Sequence, residues 1–319
     1  MLSFLVRRIL IGVLVLWIIT MLVFGIFFVA PNNVAQTLAG RQATPETVAL
    51  VQHRLGLDDP MWLQYLHFLG NALKGNLGYD YYHLVSVNSI VADAAPKTAS
   101  LAIGAAVLWL VLGVLNGVVS AVRPRSLIDR GLTGFALFFY SMPTFLLGLV
   151  ALYFLYYRLT VAGFAWFPAG GYVNFSQDPL QWARSLILPW LTLALVYAAT
   201  YTRLTRASML EVLGEDYIRT ARSKGISERR VTFRHGLRAA LTPVVTQFGI
   251  DLGQLVGGAL VTEQVFSIDG LGRTSVQAID NQDLPVIIGI VLVAAAVVVV
   301  ANLLVDMAYA WLDPRVRLS

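Results

Sequence analysis

Six continuous apolar stretches divide this chain, each followed by a polar segment. They run at 9–30, 97–122, 131–156, 186–207, 240–262 and 285–311. Each is long enough to cross the roughly 30 Å hydrocarbon core of a bilayer as a helix. None alternates apolar and polar positions with period two, so the pattern predicts membrane helices and not barrel strands. The first run follows Arg7 and Arg8, as a signal-peptide core would. It spans 22 residues and is closed by Pro31-Asn32-Asn33, with no small-x-small cleavage site. A signal core holds only about 7–15 residues, so this run reads as a retained first helix.

Composition agrees with lipid as a solvent. Hydrophobic residues make up 57% of the chain and charged residues 13%. The mean hydropathy is +0.70, well above what a soluble domain of this length tolerates. There is no cysteine, which excludes disulfides and thiolate metal sites. The net charge of +5 matters less than where the cations lie. Sixteen of the 23 Lys and Arg fall on one side of the predicted membrane, from Arg7 and Arg8 through Arg203–Arg238 to Arg315 and Arg317. The positive-inside rule therefore places both termini in the cytoplasm. The expected architecture is an all-α, polytopic membrane protein with six transmembrane helices.

Three parts are expected: a first membrane helix over 1–30, an extracytoplasmic helical insertion over 31–96, and a five-helix core over 97–319. In the insertion, Thr44-Pro45-Glu46 has the order of an N-cap, an N1 proline and a first-turn acid. A second helix follows Pro60, with Trp62, Tyr65, Leu66 and Leu69 at helical spacing. Those side chains suit either packing on the membrane bundle or lying along its surface. The outward segment 157–185 places Trp166, Phe167 and Pro168 before Ala169-Gly170-Gly171, a turn with interfacial aromatics.

The one large cytoplasmic loop, 208–239, is more structured than a linker. Glu215 to Lys224 are good helix formers, and Glu215 and Asp216 suit a positive N-terminal turn. Gly225 permits a C-cap, and Ser227 starts a second short helix as its N-cap. Enforcing topology and touching anionic headgroups would explain the loop's cations. It would not explain a helix–Gly–helix design with Tyr217, Ile218 and Ala221 spaced as anchors for a partner. The loop is short, bounded by membrane and poor in stacking aromatics, which excludes nucleic acid.

These residues carry a resemblance. Glu215-Asp216-Tyr217-Ile218-Arg219-Thr220-Ala221-Arg222-Ser223-Lys224-Gly225 is similar to the EAA loop in permease subunits of the dipeptide/oligopeptide/nickel ABC importers. Further matches include Leu55-Gly56-Leu57-Asp58, Ser141-Met142-Pro143, Phe266-Ser267-Ile268-Asp269-Gly270-Leu271-Gly272, Asn302-Leu303-Leu304-Val305-Asp306 and Asp313-Pro314-Arg315. The resemblance implies that the loop is a coupling helix seated in a separate ATPase subunit. Glu215, Tyr217, Ile218, Arg219, Ala221, Arg222, Gly225 and Ser227 would then be its coupling residues. Arg219 and Thr220 stand where Glu and Ala are usual, which points to a carboxylate on the ATPase facing Arg219. The resemblance also implies a second permease, two ATPase subunits carrying ATP and Mg, an extracytoplasmic solute-binding protein and a peptide cargo. This chain would sit in the cytoplasmic membrane, perform no covalent chemistry and bind no cofactor itself. Nickel or another small solute fits the same family.

The sequence holds no G-x-x-x-x-G-K-[ST], so it offers no P-loop. Gly270-Leu271-Gly272 leads into Arg273-Thr274 and reads as an outward turn. In the fifth run, Gly249, Gly253 and Gly257 form a small-xxx-small stripe suited to close helix packing. Gln247, Asp251 and Gln254, continued by Gly258, form a second stripe roughly 120° away. An Asp in mid-bilayer must face protein or water, so Asp251 is expected either to pair with another helix or to line a translocation pathway with Gln247 and Gln254. A proton-driven carrier with Asp251 as the carrier group is the competing reading. A membrane-embedded enzyme is not, because His53, His67, His83 and His235 are scattered and no metal site or nucleophile–base pair is evident. Pro143, within the third run, predicts a kink.

Overall fold

The computed structural model describes residues 2–29, 35–36, 43–54, 56, 58–80 and 85–312. Leu55, Leu57 and the 313–315 motif lie outside the described residues, and of Gln254, Gly257 and Gly258 only the backbone is described. The chain forms two compact units: Met1–Pro96 with Thr274–Leu303, and Lys97–Arg273 with Leu304–Ser319.

The first unit begins with α1 (Leu2–Phe24), whose last turn widens into a π-helix over Gly25–Val29. Two outward helices follow, α2 (Pro45–Arg54) and α3 (Met61–Leu73), then a two-residue hairpin of β1 (Tyr79–Asp80) and β2 (Val85–Ser86). The Thr44 hydroxyl accepts from the Thr47 N–H at 3.3 Å, which is the expected N-cap. Tyr65 and Phe68 of α3 pack on Phe24 and Phe28 at the outer end of α1. The Tyr65 hydroxyl shares a 2.9 Å hydrogen bond with Thr20. Packing on the bundle therefore takes that side of α3, while Trp62 and Leu66 stay exposed.

α4 (Val87–Val122) leads into the second unit, followed by α5 (Leu127–Tyr140), α6 (Thr144–Ala151) with a π-helix over Leu152–Arg158, and α7 (Leu159–Val161). The centre of this unit is α8 (Pro179–Leu213). It starts at a well-made cap, where one Asp178 carboxylate oxygen accepts from the N–H groups of Leu180 and Gln181 and Pro179 occupies the first turn. α4 and α8 approach closely because α4 carries glycines at the crossing. A Cβ on Gly113 would collide with Tyr201, one on Gly117 would lie 2.5 Å from the Thr205 Cβ, and one on Gly104 would enter the Trp190 ring. The small-xxx-small pair that serves this contact is thus Gly113 and Gly117 of α4. Of the stripe expected in the fifth run, Gly249 is tight against Val305, and Gly253 has nothing near it. The core holds Leu101, Ala105, Trp109, Leu193, Ala198, Tyr201, Val244, Leu255 and Phe266.

After α8 come α9 (Asp216–Ser223), α10 (Glu228–Arg230), a π-helix over Val231–Gly236 and the long α11 (Leu237–Phe266). Last are α12 (Leu271–Asp280) and α13 (Leu284–Leu312).

Among the described residues, five segments are long and apolar enough to cross a membrane: Val6–Phe28, Val87–Val122, Thr144–Val161, Pro179–Leu213 and Leu284–Met307. α11 is the sixth helix of spanning length, with 30 residues. Its apolar run is interrupted by Gln247, Asp251, Gln254 and four glycines. The protein is an all-α polytopic membrane protein. One expectation fails in detail, because the run 131–156 is not one kinked helix. It breaks after Tyr140, and Pro143 (φ −60°, ψ 137°) stands at the N-cap of α6. Proline has no N–H to continue the ladder and disfavours the helical conformation at Met142. At the end of α5 the Leu137 carbonyl accepts both the Ser141 N–H at 3.1 Å and the Ser141 hydroxyl at 2.9 Å.

Candidate coupling loop and buried polar sites

The cytoplasmic loop folds as its sequence suggests, with one inversion. α9 ends at a Schellman-type turn: the Gly225 N–H donates to Arg222 O at 2.9 Å and the Ile226 N–H to Ala221 O at 3.3 Å. Gly225 takes φ +74°, and a Cβ there would meet nothing within 4 Å. Glycine is needed for its backbone and not for space. Gly225→Ala is therefore expected to weaken the loop by about 1 kcal/mol. The check is faster proteolysis of the loop in a transporter whose membrane helices melt as before.

Ser227 stands at the N-cap of α10 in extended conformation (φ −60°, ψ 141°). The Arg222 guanidinium closes the turn from outside, its Nε donating to Glu228 at 2.8 Å. Ile218 and Ala221 do not face a partner. They are buried in this chain's own small core with Val231, against Leu213 and Ile226. Their apolar side seats α9 on its own protein and leaves the other side free. Glu215, Tyr217, Arg219, Arg222, Gly225 and Ser227 are exposed. Arg219 lies 3.3 Å from Asp216 in an exposed i,i+3 pair and donates to Gly214 O. The carboxylate nearest to it is thus its own neighbour. Burial against Leu213 and Ile226 depends on where the chain turns next, so spacing within eight residues could not reveal it.

Asp251 is buried on α11, facing α8. The Tyr201 hydroxyl donates to one carboxylate oxygen at 2.8 Å, and the Gln247 amide to the other at 2.9 Å. Trp109 of α4 stacks on Tyr197 with ring centroids 4.6 Å apart and lies beside Tyr201 and Phe248. Of the two expected placements, the structure supports pairing within the bundle.

Two further polar clusters escaped the reading of the sequence. At the cytoplasmic end, Asp129 on the first turn of α5 receives the Arg206 guanidinium of α8 in a two-pronged pair at 2.7 and 2.8 Å. The Ser120 hydroxyl of α4 also donates to it, as does the Arg125 N–H at 2.8 Å. Arg206 above all, then Ser120 and Arg125, hold the carboxyl well below the usual carboxylate range. A depressed carboxylate contributes stability fully above its unfolded value and loses it only in strong acid, so this clamp is unaffected by pH through the neutral range.

At the outward end, Glu263 is fully buried just past 240–262. One oxygen accepts from the Thr98 hydroxyl at 2.6 Å and the other from the Arg273 N–H at 2.9 Å. Thr98 in turn accepts from the Leu271 N–H at 2.8 Å. The 266–272 turn is thereby folded around a carboxylate. A Cβ on Gly270 would strike Glu263 and Thr98, and one on Gly272 would lie 2.6 Å from the Leu260 Cα. Only Gly270 of Gly270-Leu271-Gly272 belongs to the turn, with Ser267 in the left-handed region at φ 53°; Leu271 and Gly272 already open α12, so the segment starts a helix where the sequence suggested a plain outward turn. Glu263→Gln turns an amide N–H₂ toward a donor whichever way it is placed. It should cost about 1–3 kcal/mol, read as a lowered melting temperature of the purified protein. An unchanged value would show that the donors find other acceptors.

Among the described residues no group of three His, Cys, Asp or Glu could hold a metal ion. The arrangement offers buried polar latches and a helix, α9, that is seated on one side and exposed on the other.

Comparisons with known proteins agree along the whole chain. Residues 113–318 match the family described as binding-protein-dependent transport system inner membrane component. Residues 1–102 match the N-terminal part of such membrane components. The chain is 40% identical over 317 residues to a putative peptide transport system permease protein of Brucella abortus, covering 99% of each. It is 36% identical over 338 residues to the di/tripeptide transport system permease protein DppB of Pseudomonas aeruginosa, again covering 99% of each. The oligopeptide transport system permease protein AppB of Bacillus subtilis is 37% identical over 320 residues, 99% of this chain and 100% of its own. Among solved structures, a chain of the MetNI methionine ABC transporter has the same fold, with a TM-score of 0.54 and 20% identity over 70% of this chain and 96% of its own.

Proposed function

Since the chain belongs to the family of binding-protein-dependent transport system inner membrane components, we infer that it is a permease subunit of an ATP-driven importer of di- and oligopeptides. Full-length relatives named as peptide, di/tripeptide and oligopeptide permeases support the cargo. In this reading the chain lies in the cytoplasmic membrane and supplies half of a pathway completed by a second permease. Two ATPase subunits bind ATP and Mg, and an extracytoplasmic binding protein delivers the peptide.

The observation that carries the reading is α9. Its apolar side is anchored on its own chain through Ile218 and Ala221. Its outer side presents Tyr217, Arg219 and Arg222 to the cytoplasm. A helix held this firmly from beneath can transmit the movement of whatever grips it from above. The chain itself holds no P-loop sequence, so the gripping subunit would be the one that binds nucleotide.

The cargo is tested by competition. Proteoliposomes carrying the complete complex and its binding protein should take up labelled di- to oligopeptides on addition of ATP, and unlabelled peptide should compete. Uptake of nickel ion without peptide competition would replace the peptide reading with the metal one.

A further inference from the structure

α11 leaves open a face unlike the one α4 leaves open in the same unit. From Ile103 onward the exposed side chains of α4 are Ile103, Val107, Val111, Leu115, Val119 and Val122, a continuous aliphatic stripe with Val107 55% exposed. Such a stripe is what hydrocarbon solvates well. Beyond Arg238 and Ala239 at its start, the open positions among the described side chains of α11 are Pro243, Thr246, Ile250 and Gln264, with Ile250 54% exposed. Gly253 lies among them, with nothing within 4 Å of the place a Cβ would take. At 100° per residue these five positions share an arc of about 80°. The opposite side of the helix is the packed one, carrying Ala240, Val244, Asp251, Leu255 and Ala259.

Lipid gains little from such a face. Only Ile250 is a large aliphatic, Gly253 leaves a gap, and Gln264 has donors and acceptors that hydrocarbon cannot meet. The geometry points to the Pro243–Thr246–Ile250–Gly253–Gln264 face of α11 as the surface this chain gives to the translocation pathway, facing water and a passing peptide. None of its five residues is charged. An extended peptide can approach closely at Gly253 and find uncharged polar groups at Thr246 and Gln264. Such a surface suits backbone amides, which all peptides share, and does not select side-chain charge. The assignment rests on the importer reading above, and it moves the pathway about a third of a turn around the helix from Asp251.

The natural absence of cysteine makes the test direct. Thr246→Cys, Ile250→Cys and Gly253→Cys are placed singly in the complete transporter, in proteoliposomes, with Val107→Cys and Val111→Cys as lipid-facing references. A small charged methanethiosulfonate reacts only where water reaches. Thr246→Cys and Ile250→Cys should be modified at least about tenfold faster than the references, and modification should depress peptide uptake. Thr246→Cys and Ile250→Cys reacting as slowly as Val107→Cys, with and without ATP, would overturn the assignment in favour of lipid or a covering subunit. Rapid modification in a complex that imports no peptide would leave the face as the pathway and remove the peptide reading instead.

Discussion

Arg206→Glu is expected to strip most of this protein from the membrane, and adding Asp129→Arg is expected to bring back only part of it. The Asp129–Arg206 pair ties the start of α5 to the cytoplasmic half of α8, and Ser120 brings α4 into the same cluster. Removing one member of such a pair leaves the other charge without its partner, and here a second carboxylate is set beside the first. The loss should reach roughly tenfold in membrane-inserted, monodisperse protein, measured by size-exclusion of a fluorescent fusion. The swapped pair recovers the Coulomb attraction, and its coupling can be read as a double-mutant cycle. Recovery stays partial because the Ser120 hydroxyl and the Arg125 N–H would then point at a guanidinium, which accepts nothing. Full recovery would mean that the pair acts through charge alone. A single Arg206→Glu variant that accumulates normally would remove the clamp from the account.

Ile218→Asp is expected to abolish ATP-driven uptake while the chain still reaches the membrane. Ile218 is completely buried beneath α9, and burial of such a side chain contributes about 1.5–3 kcal/mol. A carboxylate in its place must reach water, and the cheapest way is to lift an eight-residue helix from the protein. Tyr217→Ala is the contrast, because Tyr217 is exposed and its loss leaves the seat intact. Transport per ATP hydrolysed should fall to background for Ile218→Asp and by a few-fold for Tyr217→Ala, with equal amounts of assembled complex. Normal uptake by Ile218→Asp would show that α9 need not be held down.

The membrane character of the fold was legible because it depends on local composition. Apolar runs and the placement of Arg are visible residue by residue, and so is the glycine that ends α9. The pairings were not, since their members are far apart in the chain. Asp129 and Arg206 are separated by 77 positions, Thr98 and Glu263 by 165, and Tyr201 and Asp251 by 50. Glu263 left one faint signal, as an acid just before a turn with glycines at 270 and 272. Helical periodicity correctly grouped Ile218 with Ala221, yet it says only that two residues share a side, not what that side meets. The glycine pattern was ambiguous in the same way. Two helices carry glycines four apart, and only contact with Tyr201 and Thr205 singles out Gly113 and Gly117 as the closely packed pair. Pro143 was visible, but whether it bends a helix or starts one depends on the capping of the helix before it.

The central claim is that this chain moves cargo only when a separate ATPase grips it through α9. Uptake of labelled peptide into proteoliposomes, measured with the full complex and with the ATPase subunits left out, tests it most directly. The account predicts accumulation that requires both ATP and the ATPase subunits. Concentrative uptake by the permeases alone, driven by an imposed proton gradient, would contradict it.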